Sequence, residues 1–244
     1  MSKLRIKVSQ FVYGDLARPD SWFAKYVEPI NRMYSESHGY EYIVERLDTV
    51  RQDRHGNWEK VNHIKRNLTD CDYLFFIDAD ACFYCHQIAI HEDIVDILLL
   101  DTLFLLPVSA VSEKHRWLSS EPSCNAGVIL VKNTELSHSI LSEWDHITDM
   151  QGLEHLRWEW PLEEKAFNSH IIPKYEQLIQ PHPDYYMLHS TFGYFVRHIW
   201  GGCGFDRKAT FRQIYHSSLM ERNRKLWAQL YERDDYSIAR DPAE

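Results

Sequence analysis

No stretch of the chain approaches the ~20 consecutive apolar residues a helix needs to cross a bilayer. Basic residues are in deficit: 27 Lys and Arg stand against 36 Asp and Glu, a formal net charge of -9, which argues against general binding to a nucleic-acid backbone. Cysteine is sparse and odd in number, at five. The N-terminal run Met1-Ser2-Lys3-Leu4-Arg5-Ile6-Lys7 alternates charge and apolarity and lacks the apolar centre of a signal peptide. Free thiols in a reducing compartment, the cytoplasm, are therefore the expectation. There is no internal repeat and no Gly- or Pro-rich linker, so no domain boundary is expected. What remains is ordinary globular composition, 44% hydrophobic and 26% charged, in 244 residues. That is enough chain for one α/β domain that folds without disulfides or a structural metal.

The hydrophobic pattern predicts strands at Leu4–Val12, Tyr40–Glu45, Tyr73–Ile77, Leu103–Val108 and Gly127–Val131, with a further short one at Tyr185–Leu188. Helices are expected over Pro19–His38, with Asp20 as N-cap and Gly39 past the end, then Trp58–Leu68, Ile94–Leu100, Thr134–Met150, Pro161–Ile172 and Leu219–Arg233. Alternating strands and helices in the first half point to an α/β fold with a central, mostly parallel sheet.

The sharpest chemical signal is Tyr73-Leu74-Phe75-Phe76-Ile77-Asp78-Ala79-Asp80. Continuous apolarity suggests a strand covered on both faces. Ligands of open α/β sheets bind beyond the carboxyl ends of strands, where Asp78 and Asp80 would stand. Two carboxylates this close repel one another unless a divalent cation is shared between them, and Mn²⁺ or Mg²⁺ prefers such oxygen ligands. The plain alternative is an acidic turn. Cys82-Phe83-Tyr84-Cys85-His86 matches a haem-attachment spacing, but it reads better as a buried continuation of the chain after the acidic pair.

Four segments, taken in order, carry a resemblance. They are Trp58-Glu59-Lys60, Asp78-Ala79-Asp80, Asn125-Ala126-Gly127-Val128-Ile129-Leu130-Val131-Lys132-Asn133, and His198-Ile199-Trp200-Gly201-Gly202-Cys203. Together the chain resembles the galactosyl, xylosyl and mannosyl transferases of glycosyltransferase family 34, from about Val8 to Cys203. The resemblance implies a single GT-A (Rossmann-like) domain over residues 1–244, with a nucleotide-sugar half over about 1–110 and an acceptor half over about 111–244. It implies that Asp78, Asp80 and His198 hold the metal, Mn²⁺ better than Mg²⁺ because of the imidazole. It places Gln10, Trp58, Lys60, Asp78, Asp80, Asn125, Gly127, Gly201 and Gly202 about the donor, a UDP- or GDP-sugar or similar nucleotide-diphosphate sugar. It sets Glu163 and Glu164 at the reacting carbon, where the family carries Asp-Gln. The acceptor is expected to be a glycan or a small-molecule hydroxyl, the transfer retaining, and contact with a membrane at most peripheral. The family's basic residue after the late His is missing, so Arg207 or Lys208 is expected to replace it on the diphosphate. The family resemblance does not remove two rivals: a HAD-like phosphohydrolase using Asp78 and Asp80, and a non-catalytic nucleotide-sugar-binding module.

Overall fold

The computed structural model describes residues 4–109, 123–201 and 203–233. Six strands form one mixed sheet in the order β2-β1-β3-β6-β5-β7. They are β1 (Ile6–Tyr13), β2 (Glu41–Leu47), β3 (Tyr73–Ile77), β5 (Phe104–Pro107), β6 (Val128–Lys132) and β7 (Ile179–His182). Only β6 runs against its neighbours β3 and β5, and the other pairings are parallel. A small second sheet pairs β4 (Ala81–Phe83) with β8 (Val196–His198).

β3 lies between β1 and β6, and its composition follows from that place. Leu74 and Phe76 enter the core on one face, while Phe75 and Ile77 enter the core on the other. All four are fully buried, each worth about 1.5–3 kcal/mol in apolar burial. A strand with one wet face would alternate; this one cannot, because helices and loops cover it from both sides.

The helices are α1 (Glu28–His38), α2 (Glu59–Asn67), α3 (Glu135–His146), α4 (Glu163–Ala166), α5 (Ile172–Tyr175), α6 (Tyr185–Leu188) and α7 (Arg207–Arg233). Gly39 ends α1 in the left-handed region at φ 70°, as a helix-stopping glycine should. Thr134 caps α3 by accepting from the Ser137 amide at 3.0 Å.

Four expectations are corrected. The helix expected from Pro19 opens with a wide turn, Phe23–Val27, that leads into α1, and the hydroxyl that caps this opening is that of Ser21, which accepts from the Ala24 amide, and not the carboxylate of Asp20. Residues 94–100 are not a helix: one wide turn, Ile90–Ile94, ends in bends, and Leu99 and Leu100 face outward. Tyr185–Leu188 is a helical turn rather than a strand, begun by the Asp184 carboxylate accepting from the Tyr186 amide. α7 begins at Arg207, well before Leu219: the Asp206 carboxylate caps it by accepting from the Ala209 amide at 3.0 Å, and its first turns show little apolar stripe, with Phe211 and Ile214 buried.

Candidate active site

The site forms where β3 runs out. Asp78 donates its amide to the Gly127 carbonyl at 2.7 Å, across the top of the β3–β6 pair. The chain then turns tightly, with Ala81 N–H bonded to the Asp78 carbonyl at 3.0 Å, and enters β4. β4 pairs antiparallel with β8 so that Ala81 stands opposite His198, and the Ile199 amide donates to the Asp80 carbonyl at 2.7 Å. That small sheet is what carries a histidine from late in the chain to the acidic pair.

His198 Nε2 lies 3.1 Å from Asp80 Oδ1 and 3.9 Å from Asp78 Oδ2. Ligand atoms of Asp78, Asp80 and His198 all fall within 4.8 Å of one another, a group able to hold one metal ion. Burial works against the charge on Asp80, yet His198 and then Arg207 hold its carboxyl below the usual carboxylate range. Burial likewise opposes the His198 imidazolium, and the Asp80 carboxylate outweighs it and raises the imidazole above its ordinary value. Arg207 reaches Asp80 Oδ2 at 3.4 Å. Gly201 lies against that arginine: a Cβ there would come within 2.7 Å of Nη2. Arg207, rather than Lys208, is thus the basic side chain that the fold sets beside the acidic pair. Gly202 lies outside the described residues.

Gly127 has a second demand on it. A Cβ would stand 2.3 Å from His198 Cε1, so the imidazole occupies the space a side chain would need. Asn125 turns the chain into this position by accepting from the Gly127 amide at 2.8 Å. Its own amide nitrogen donates to Glu164 Oε2 at 2.8 Å, and the Ala126 N–H donates to the same oxygen at 3.0 Å.

Glu163 and Glu164 open α4. Glu163 is buried, and Lys60 Nζ meets its Oε1 at 2.7 Å and Asp78 Oδ1 at 3.1 Å. Burial tends to strip the Lys60 charge, but Asp78 and Glu163 hold it firmly protonated. The second oxygen of Glu163 is buried without a hydrogen-bond partner. Burial raises the Glu163 carboxyl, against the pull of Lys60. Glu164 is half-buried and faces neutral donors, and burial pushes its carboxyl up to about 7.

Two predicted donor contacts lie deeper than the sequence suggests. Gln10 is fully buried beneath the acidic turn, donating to the Asp78 carbonyl at 2.9 Å and accepting from Asn31 Nδ2 at 2.9 Å. Trp58 is also fully buried, its indole N–H on the Leu156 carbonyl at 3.3 Å and Arg54 over its ring. Both support the site from below. Cys82 of the apparent haem motif is buried in β4, where burial pushes its thiol up to about 12.

Two residues escaped the sequence reading. Tyr13, at the end of β1, donates its hydroxyl to Asn57 Oδ1 at 3.2 Å, and burial, then the charges of Glu163 and Asp78, raise that hydroxyl above its ordinary value. His189 meets His198 with the two Nδ1 atoms 2.9 Å apart. Neither belongs to a motif; a polar aromatic at a strand end beside an acidic strand end is the one signal that could have found Tyr13.

With this geometry, the model of the galactosyl transferase GMA12/MNN10 family matches residues 19–183, well over half of the chain. The chain belongs to that family. It is a glycosyltransferase, and this sets aside both the phosphohydrolase and the non-catalytic module. No curated protein matches it. Among solved structures, the fold is similar to a glycosyltransferase involved in the glycosylation of the major capsid of PBCV-1, with a TM-score of 0.65 at 14% identity, covering 86% of this chain and 98% of that one. It is also similar to the glycosyltransferase GlyE of Streptococcus pneumoniae TIGR4, with a TM-score of 0.55 at 14% identity, covering 91% of this chain and 64% of that one. At such identity the likeness is one of fold. No helix among the described residues is long and apolar enough to cross a membrane.

Proposed function

We propose that this glycosyltransferase moves a hexose or pentose from a nucleoside-diphosphate sugar to a hydroxyl of a glycan or small molecule, with a divalent cation and with retention. The observation that carries the reading is the convergence of Asp78, Asp80 and His198 within 4.8 Å beyond the end of β3. Two carboxylates and an imidazole form an oxygen-and-nitrogen donor set that suits Mn²⁺ better than Mg²⁺. The cation would supply positive charge to the diphosphate leaving group as the sugar bond breaks.

The protein's own groups supply the rest. Arg207 stands beside Asp80 and is placed to meet diphosphate oxygens that approach the acidic pair. Lys60 binds Asp78 and Glu163 together, so donor-side and sugar-side carboxylates move as one unit. Glu164, with a carboxyl raised to about 7, is the group whose charge state changes near neutral pH. As the carboxylate it offsets positive character on the transferred sugar, on the side held by Asn125. Retention rests on the family alone. Trp158 and Trp160, just before Glu163 in the chain, are 59% and 74% exposed and offer indole faces to an acceptor sugar ring.

The test is release of nucleoside diphosphate from a panel of nucleotide sugars with Mn²⁺, with EDTA and Asp80→Ala run alongside. Turnover of one donor, lost in both controls by about 10³-fold or more, is the expected outcome, since several kcal/mol of charge stabilisation is removed. Turnover that survives EDTA and Asp80→Ala would sink the metal-dependent reading.

A further inference from the structure

The imidazole of His198 has two nitrogens, and both are in use. Nε2 faces the carboxylates of Asp80 and Asp78. Nδ1 faces Nδ1 of His189 at 2.9 Å. Two ring nitrogens at that distance share one proton: two protons between them would collide, and none would set lone pair against lone pair. One histidine therefore donates and the other accepts.

The direction of that bond decides what His198 can do. If His198 accepts, its single neutral-state proton sits on Nε2, and that nitrogen can only donate toward the carboxylates. If His198 donates, Nε2 keeps its lone pair and can join the carboxylates around a cation. His189 is held in place for one of these arrangements to persist. It is 6% exposed, its ring is stacked on Trp200 at 5.0 Å and 17°, and it stands nearly edge-on to His198 at 4.9 Å. The next residue, Ser190, accepts from the His198 amide at 3.3 Å through its carbonyl, so the His189 loop and β8 are tied by backbone as well. On the opposite flank the ring packs against the bare Cα of Gly127, where a Cβ would come within 2.3 Å of Cε1.

We propose that His189 is a positioning residue: its Nδ1 accepts the Nδ1 proton of His198 and thereby presents the unprotonated Nε2 of His198 to a divalent cation held with Asp78 and Asp80. The inference rests on the metal reading of the site. It adds to that reading a residue that touches neither cation nor substrate and that sets the tautomer of one that does.

The experiment is Mn²⁺ titration of the full chain at fixed pH, following free Mn²⁺ by its paramagnetic resonance signal, with Asp80→Ala as control. Three variants separate the roles of His189. His189→Phe keeps a flat ring on Trp200 and removes the acceptor. His189→Asn offers an amide oxygen near the place of Nδ1. His189→Ala removes both. The expected result is Mn²⁺ binding weakened about 10–100-fold in His189→Phe and His189→Ala and largely restored in His189→Asn. Thermal unfolding of His189→Phe should stay close to that of the parent, which separates a lost hydrogen bond from a lost fold. In the Mg²⁺-loaded protein, imidazole ¹⁵N shifts should report His198 protonated at Nδ1, and this pattern should be lost in His189→Phe. Equal Mn²⁺ affinity for His189→Phe and the parent overturns the inference and leaves the metal site standing. A parent chain that binds no Mn²⁺, with or without a nucleoside diphosphate, overturns the metal reading and this inference with it.

Discussion

Two acidic pairs meet at this site, and they are held in opposite ways. Asp78 and Asp80, at the end of β3, are each matched with charge: Lys60 on Asp78, His198 and Arg207 on Asp80. Their side chains keep 25% and 18% of their exposure, open enough for a further ligand. Glu163 and Glu164, at the start of α4, are short of charge. Glu163 has Lys60 on one oxygen and nothing on the other. Among the described residues, Glu164 has only the Asn125 amide and the Ala126 N–H. Asp80 of the first pair is arranged to stay ionised, whereas burial makes ionisation costly for both members of the second. Proximity in sequence makes carboxylates alike only on paper; their partners decide whether they hold a cation or a proton.

The largest effect that would break this contrast is on Glu164. Glu164→Gln keeps an acceptor for Asn125 and Ala126 and removes the titration. The rate of transfer should fall about 10²–10⁴-fold at neutral pH, the usual range for a positioned ionising group. In the parent the rate should rise as pH increases through about 7, where the carboxylate forms, and the variant should lose that limb. Stability should move the other way. A carboxyl whose folded value lies above its unfolded value binds more protons when folded, so the parent loses stability as pH rises from about 4.5 to about 7. Glu164→Gln should therefore melt higher than the parent at pH 8 and alike at pH 4. Melting curves at the two pH values check this, and a variant less stable at both would show that Glu164 is held as a charged structural anchor.

Lys60 joins the two pairs, and removing it should cost less in rate and more in fold. Lys60→Met leaves Glu163 and Asp78 facing one another with Glu163 fully enclosed. Loss of one partner from a buried pair typically costs about 3–5 kcal/mol. In a domain of this size that is a fall in melting temperature of roughly 10 °C. Adding Glu163→Gln to Lys60→Met should recover much of it, because the stranded charge is then gone. Denaturant unfolding of the two single variants and the double variant measures the coupling.

The parts of this site that were legible in the sequence share a physical reason. β3 and its Asp pair show because a doubly buried strand has no polar interruption until its end. Lys60, Asn125 and Gly127 show through the family pattern, and the structure gives each a contact: a carboxylate pair, a turn, and an imidazole packed on a bare Cα. What was hidden depends on partners distant in the chain. Gln10 reads as a donor contact until β1 is seen lying under the acidic turn. His189 is one of 14 histidines until the β4–β8 pairing sets His198 beside it. Those two strands are each three residues long, too short for any periodicity to register. The start of α7 was missed for a related reason, since a helix resting on Phe211 and Ile214 shows little stripe.

The smallest predicted effect tests whether the first pair's histidine is held from both sides. Gly127→Ala would put a methyl 2.3 Å from His198 Cε1 and 2.8 Å from Asn125 Oδ1, closer than atoms can stand. His198 has no free path of retreat, because His189 holds Nδ1 and the β4–β8 ladder holds its backbone. The strain should cost about 1–3 kcal/mol of stability, the usual range for overpacking. Mn²⁺ affinity should fall about 10-fold as Nε2 is displaced, comparable to the loss of an orienting partner. His198→Ala would remove the ring that the methyl strikes, so in that background Gly127→Ala should cost far less. A coupling of about 0.5–3 kcal/mol between the two positions is expected from denaturant unfolding. Simple additivity would mean that the methyl is resisted by Asn125 and the β6 entry instead, and that the imidazole is free to yield.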